Sequence, residues 1–163
     1  MNRINGVLLI LPILLSACSG NSKPPADDPA KTAAAATSAM DAAIKELFAR
    51  PEQPVDAVTI QHVLISFKGA PRMTGVTRTK TEAKALAAQV YAEAIGGADF
   101  DGLVNKYTND SPPGIYPLNQ ASRRGMVKSF GDVGWRLKVG EIGVAPWEGT
   151  ASPFGWHIIK RLK

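Results

Sequence analysis

Apolar residues recur along the chain in patterns that predict a strand, two helices and two closing strands. The segment 58–67, VTIQHVLISF, is rich in β-branched residues with polar interruptions, which is typical of a strand. TKTE at 79–82 is a capping-box pattern, and the apolar positions after it have helical spacing. Asp99 is placed to cap a second, shorter helix, and GEIGVAPW and GWHIIKRL predict strands. This order predicts an α+β fold with a small, mainly antiparallel sheet.

The segment between the second helix and the last strands gives weaker signals. TNDSPPG predicts a loop, PPGIYPLNQASRRG (112–125) predicts irregular structure, and MVKSFGDVGWRL predicts a helix broken by glycines. A strand at each end of the domain predicts that these two strands pair in the centre of the sheet. The only two histidines of the chain, His62 and His157, would then lie side by side.

The N-terminus has the pattern of an export signal over residues 1–17. Arg3 supplies a positive charge, and the apolar run Val7 to Leu15 is shorter than the roughly 20 residues that a membrane-spanning helix needs. The following LSAC resembles the lipobox of bacterial lipoproteins, which implies that Cys18 carries lipid and becomes the first residue of the mature protein. An ordinary signal peptide followed by an unmodified cysteine is the alternative interpretation.

Residues 18–56 are rich in Ser, Pro, Asp and Ala and contain few large apolar side chains, so we expect a flexible tether with a short helix near 40–50. A compact domain then follows over 57–163. The chain is 45% hydrophobic and 20% charged with a net charge of +5, as in many soluble globular proteins. Its cations form no stripe with interleaved aromatic residues, which argues against nucleic acid as a partner.

Six motifs of the domain, taken together, resemble the parvulin family of peptidyl-prolyl cis/trans isomerases. In chain order they are IQHVLI, TKTEAKALAAQVY, FDGLVNKYTNDS, RGMVKSF, GEIGVAP and FGWHIIKRL. The resemblance implies an FKBP-like fold with a four-stranded, mainly antiparallel sheet and about four helices. It also implies isomerisation of X–Pro bonds in exported polypeptides as they fold, without cofactor or metal. With a lipid on Cys18, the enzyme would be held at the bacterial envelope, on the periplasmic side of the outer membrane in a Gram-negative cell.

The resemblance also implies which residues form the site. The implied catalytic residues are His62, Asp110, Ser152 and His157. The implied proline pocket contains Leu118, Met126 and Phe130. An apolar pocket suits a twisted amide, and the histidines would act as an oriented hydrogen-bonded pair. The only cysteine is the predicted lipidation site, so a thiolate nucleophile is excluded by composition.

Two alternatives remain open at this point. The segment 112–125 lacks the paired glycines that most parvulins have before the methionine, which is compatible with a catalytically weak chaperone or protein-binding module. A metal site formed by His62, His157 and Asp110 is the other alternative, because imidazole and carboxylate groups are common zinc ligands.

Overall fold

The computed structural model describes residues 28–163, which form one four-stranded antiparallel sheet with helices on both faces. The strand order is β2-β1-β4-β3. The strands are β1 (Ala57–Ile65), β2 (Ile115–Asn119), β3 (Ile142–Ala145) and β4 (Trp156–Arg161). The helices are α1 (Pro29–Ala49), α2 (Lys80–Ile95), α3 (Phe100–Tyr107), α4 (Gln120–Arg123) and α5 (Lys128–Arg136). The α+β fold predicted from the sequence is confirmed.

The two central strands are β1 and β4, as predicted. They pair antiparallel, with Leu64 opposite His157 and His62 opposite Ile159. The two histidines are therefore diagonal neighbours on adjacent strands, and their side chains point to the same face of the sheet. The two central strands thus carry the two buried imidazole rings.

Each face of the sheet packs against its own apolar cluster. On one face, which we call the helix face, Val63, Ile65 and Ile158 pack against α1, α2 and α3. On the other, the histidine face, Ile60 and Ile159 pack against α5 through residues such as Phe130. Strand residues alternate between the two clusters because successive side chains of a strand point to opposite faces.

Two helix starts are formed as the sequence predicts. The side chain of Thr79 accepts from the backbone N–H of Glu82, and the side chain of Glu82 accepts from the backbone N–H of Thr79. Asp99 accepts from the backbone N–H of Gly102 at the start of α3. These bonds satisfy N–H groups that have no partner within a helix.

The N-terminal helix differs from the expected tether. Helix α1 begins at Pro29, capped by Asp28, rather than near residue 40, and it packs on the domain. Met40 is fully buried in the cluster of the helix face, and Leu47 is buried on the histidine face. The short helix predicted near 40–50 is the second half of α1, and the tether prediction was wrong for residues 29–39, because an alanine-rich segment contains few large side chains but has the highest helix propensity.

Two further segments are more regular than predicted. Residues 115–119 form the edge strand β2, which tolerates Pro117 because an edge strand needs fewer backbone donors. Helix α5 is continuous through Gly131 and Gly134. Gly134 lies against the side chain of Ile60, so a small residue allows this helix to approach β1 closely.

The segment between α1 and β1 is fixed to α5. The indole N–H of Trp135 donates to the carbonyl of Val55, and the N–H of Gln53 donates to the carbonyl of Trp135. Glu52 accepts from Arg123 and Arg136.

Within residues 28–163, no helix is both long enough and apolar enough to cross a membrane. The predicted signal and Cys18 lie outside the described residues.

Candidate active site

The two histidine rings contact each other in the centre of the histidine face. Their Nδ1 atoms are 3.1 Å apart, which is a hydrogen-bond distance, and the rings stack with an interplanar angle of 22°. Both side chains are buried, with relative exposures of 2% for His62 and 4% for His157. One ring must donate to the other, so the two tautomers are linked.

A carboxylate contacts the other side of His62. Oδ2 of Asp110 lies 3.2 Å from Nε2 of His62, and its Oδ1 accepts from the backbone N–H of Ser111 at 2.8 Å. The hydrogen bond with His62 and that with Ser111 hold the pKa of Asp110 well below its usual range. Asp110 is therefore a charged acceptor at neutral pH.

The loop that carries Asp110 is hydrogen-bonded to the edge of β1. The N–H of Leu64 donates to Oγ1 of Thr108, and the N–H of Asn109 donates to the carbonyl of Leu64. Oδ1 of Asn109 accepts from the N–H of Ser66 and from the guanidinium of Arg78. These bonds place the carboxylate of Asp110 beside His62 on β1.

The charge of Asp110 sets the direction of the hydrogen bonds. A carboxylate only accepts, so Nε2 of His62 carries the proton of that bond. In a neutral His62, Nδ1 is then the acceptor, and Nδ1–H of His157 donates to it. Burial, with the neighbouring His62 as a smaller cause, lowers the pKa of His157 to about 3, so its ring is neutral. Nε2 of His157 is left as a buried acceptor with no hydrogen-bond partner among residues 28–163.

Aromatic rings enclose the pair. The ring of Phe130 meets His62 and His157 edge-on, with centroid distances of 5.1 and 5.3 Å. Phe130 itself is buried, and the partly buried Met126 packs against the same cluster from the loop before α5. An adaptable thioether next to an aromatic ring gives an apolar surface beside the polar chain Asp110–His62–His157.

Leu118 and Ser152 lie at the margins of this arrangement. Leu118 is on β2 opposite Val58 and is buried in the cluster of the histidine face, with 4% exposure. Ser152 is fully buried in the turn before β4, where its hydroxyl donates to the carbonyl of Gly155 at 3.3 Å. The hydroxyl of Ser152 thus stabilises the turn that leads into the strand of His157.

The geometry does not fit a shared metal ion. Asp110 and His157 contact opposite nitrogens of the His62 ring, so the three groups do not converge on one point. Within the part of the chain that the structure describes, no cluster of three His, Cys, Asp or Glu residues could hold a metal.

Tyr116 is the residue that sequence reasoning missed. It lies on β2, its hydroxyl donates to Oδ2 of Asp110 at 3.1 Å, and its ring contacts His62 and Phe130 edge-on. The one signal was the alternation of Tyr116 and Leu118, which marks one face of a strand, but the prolines around them obscured it.

Gly114 shows how closely β2 approaches the site. Its carbonyl accepts from the N–H of His62, and its φ of 65° lies in the left-handed region. A Cβ atom at this position would come within 2.7 Å of the carbonyl oxygen of His62. Glycine is therefore required here by both conformation and space.

Comparisons with known proteins agree with this fold. The sequence of residues 44–163 matches the family model of the PPIC-type PPIase domain. The fold is similar to the peptidyl-prolyl isomerase ESS1 from Candida albicans, at 20% identity and a TM-score of 0.55, covering 77% of this chain and 74% of that one. It is also similar to TbPIN1, at 25% identity and a TM-score of 0.51, covering 66% of this chain and 98% of that one. No curated protein gives a significant match.

The family match begins within α1 and includes every strand and every residue of the site described above. It therefore covers both the polar chain through the two histidines and the apolar surface around Phe130. The protein belongs to the PPIC-type, or parvulin-type, peptidyl-prolyl cis/trans isomerases.

Proposed function

We propose that this isomerase is anchored by lipid to a bacterial cell envelope and acts on proline-containing polypeptides after their export. The N-terminal signal pattern and the LSAC sequence support this proposal, with Cys18 as the modified residue. Ser19, rather than aspartate, after the cysteine favours the periplasmic side of the outer membrane in a Gram-negative cell. Acyl chains on Cys18 would give stable anchoring only if more than one is attached.

The reaction needs a lower rotation barrier rather than a covalent step. An X–Pro bond has a barrier of about 18–20 kcal/mol, while its two isomers differ by only about 0.5–1 kcal/mol. In the twisted state amide resonance is lost and the carbonyl is less polarised. A water-excluding apolar surface therefore favours the twisted state over the planar ones.

The residues divide this task between them. Met126 is partly exposed and would contact the proline ring, while the buried Phe130 packs against the two histidine rings. The chain Asp110–His62–His157 forms a polar wall in which every hydrogen bond has a set direction, so it needs little reorganisation as the amide rotates. In this mechanism the histidines orient one another and do not transfer protons.

The observation that carries the catalytic mechanism is the direct contact of Phe130 with both histidine rings. Proline peptides with two populated isomers test it, through exchange cross-peaks in two-dimensional NMR. Wild-type protein is expected to raise the exchange rate, and Met126→Ala to raise KM. The exposed variant Ile95→Ala, outside the site, serves as a control and should match wild type. Exchange no faster than in buffer would contradict the catalytic mechanism.

The binding-module alternative relied on the unusual segment 112–125. That segment forms β2 and places Tyr116 beside His62, which supports a complete site wall and hence the enzyme. An assay that follows the aggregation of an unfolded client protein distinguishes the enzyme from the binding module. Protection from aggregation without isomerase activity would favour the module.

Anchoring is tested by Cys18→Ser in the full-length chain. The variant is expected to move from the membrane fraction to the soluble envelope fraction, because it has no thiol to acylate. Ser19→Ala is the matched control and should stay with membranes. A Cys18→Ser protein that still sediments fully with membranes would exclude lipid as the main anchor.

A further inference from the structure

The side chain of Tyr116 contacts three members of the site at once. Its hydroxyl donates to Oδ2 of Asp110 at 3.1 Å. Its ring centroid lies 5.4 Å from that of His62 and 5.6 Å from that of Phe130, both in edge-on geometry. Its backbone is held by pairing with Ile60 on β1. Tyr116 therefore links the polar chain of the site to its apolar surface.

The carboxylate of Asp110 needs more than one donor to hold its orientation. It sits on a loop outside any helix or strand, and its side chain is 37% exposed, so water competes for its oxygens. Oδ1 is held by the N–H of Ser111, while Oδ2 is shared by His62 and Tyr116. Without the phenol hydroxyl, only the hydrogen bond with His62 would hold Oδ2 within the site.

We propose that Tyr116 is the positioning residue of this isomerase. Its hydroxyl fixes Asp110, the carboxylate fixes the tautomer of His62, and His62 fixes that of His157. Its ring separately packs edge-on against Phe130 and would form part of the apolar surface for the proline ring. This inference rests on the proposed mechanism, because it assigns Tyr116 a function within the same site.

The two roles of the side chain predict different kinetic effects. Tyr116→Phe keeps the ring and removes one hydrogen bond, so kcat should fall about two- to tenfold while KM stays unchanged. Tyr116→Ala also removes the ring that contacts His62 and Phe130 and should raise KM in addition.

The matched control is Tyr107→Phe. The hydroxyl of Tyr107 also donates to a carboxylate at 3.1 Å, that of Glu93, but Tyr107 packs on the helix face. This control should leave kcat unchanged, because it removes an equivalent bond away from the site.

A spectroscopic measurement reports the positioning role directly. The chain has two histidines, so 15N-histidine labelling gives four ring nitrogen signals. In wild type they should show His62 protonated at Nε2 and His157 protonated at Nδ1. In Tyr116→Phe the signals of His62 should move towards a mixture of tautomers, whereas in Tyr107→Phe they should not move.

A double-mutant cycle tests whether Tyr116 acts through Asp110. If it does, Tyr116→Phe should lower kcat in the wild-type background but have little further effect in Asp110→Ala, which has no oxygen to accept from the hydroxyl. Equal fold-changes in both backgrounds would overturn the proposal, and so would a Tyr116→Phe variant with wild-type kcat and unshifted His62 signals. If wild type itself were inactive, the catalytic mechanism would fail first, and the ring signals would still decide whether Tyr116 orients the pair. Should Tyr116→Phe fail to fold, Tyr116→Leu in the same cycle would replace it.

Discussion

The two faces of the central strands are equally buried but differ in chemistry. On the helix face, Val63 lies opposite Ile158, and both are fully buried among apolar side chains. On the histidine face, the next residues along the same strands are His62 and His157. The helix face gains stability from burial alone, whereas the histidine face also buries polar ring atoms, three of which are hydrogen-bonded while Nε2 of His157 has no partner among residues 28–163. One strand pair thus provides both the stability of the domain and its reactive surface.

The largest expected effect concerns the helix face. Ile158→Ala should lower the free energy of unfolding by about 2–5 kcal/mol, because it removes buried methyl groups and leaves a cavity. Urea unfolding measures the loss, while kcat of the folded fraction should stay near wild type. Val139→Ala, at a position that is 65% exposed, is the control and should change stability by less than about 0.5 kcal/mol. A large loss of kcat in folded Ile158→Ala protein would show that the two faces are not separable.

The corresponding change on the histidine face should reduce activity more than stability. His62→Ala removes the bonds to both His157 and Asp110, which should cost about 1–3 kcal/mol of stability. We expect kcat/KM to fall by about tenfold or more, because the loss of about 1.4 kcal/mol of transition-state stabilisation corresponds to a factor of ten. Protease-coupled and urea-unfolding measurements on the same sample compare the two effects. Wild-type kcat/KM in this variant would remove His62 from the mechanism.

Acid should destabilise the protein through the histidine face. Burial lowers the pKa of His157 to about 3, so the unfolded chain binds a proton below about pH 6.5 that the folded protein does not bind. Stability should therefore be constant above pH 6.5 and fall towards pH 3, by up to about 1.4 kcal/mol per pH unit. His157→Asn should flatten this slope between pH 6.5 and 4.5, a range above the titration of Asp110. If the urea midpoints of the variant and of wild type changed equally with pH, this account would be contradicted.

The smallest expected effect lies at the start of α2, on the helix face. Thr79→Ala removes half of the capping box and should cost about 1 kcal/mol without changing activity. Thermal unfolding measures this, and Thr81→Ala, an exposed position inside the same first turn, is the control. A cost for Thr79→Ala no greater than that of the control would argue against the capping box as a source of stability.

The sequence predicted the two central strands and their histidines better than it predicted helix α1 and strand β2. The pairing of His62 and His157 followed from two strong strand signals at the two ends of one domain. The first half of helix α1 was mistaken for a tether because alanine promotes helices without adding an apolar period. Strand β2, and Tyr116 with it, was missed because Pro117 argues against a central strand but not against an edge strand. Helix propensity determined α1 and the edge position determined β2, and neither can be read from the hydrophobic pattern.

The order of the strands has a consequence for how the chain acquires its activity. Strand β4 lies in the middle of the sheet, yet it follows every other helix and strand in chain order. During synthesis, β1 and β3 therefore have no shared neighbour until Trp156 to Arg161 has been made. Such non-local pairing is slow to form compared with local contacts. The isomerase site thus exists only once the last strand has inserted, so an incomplete chain would have no catalytic activity.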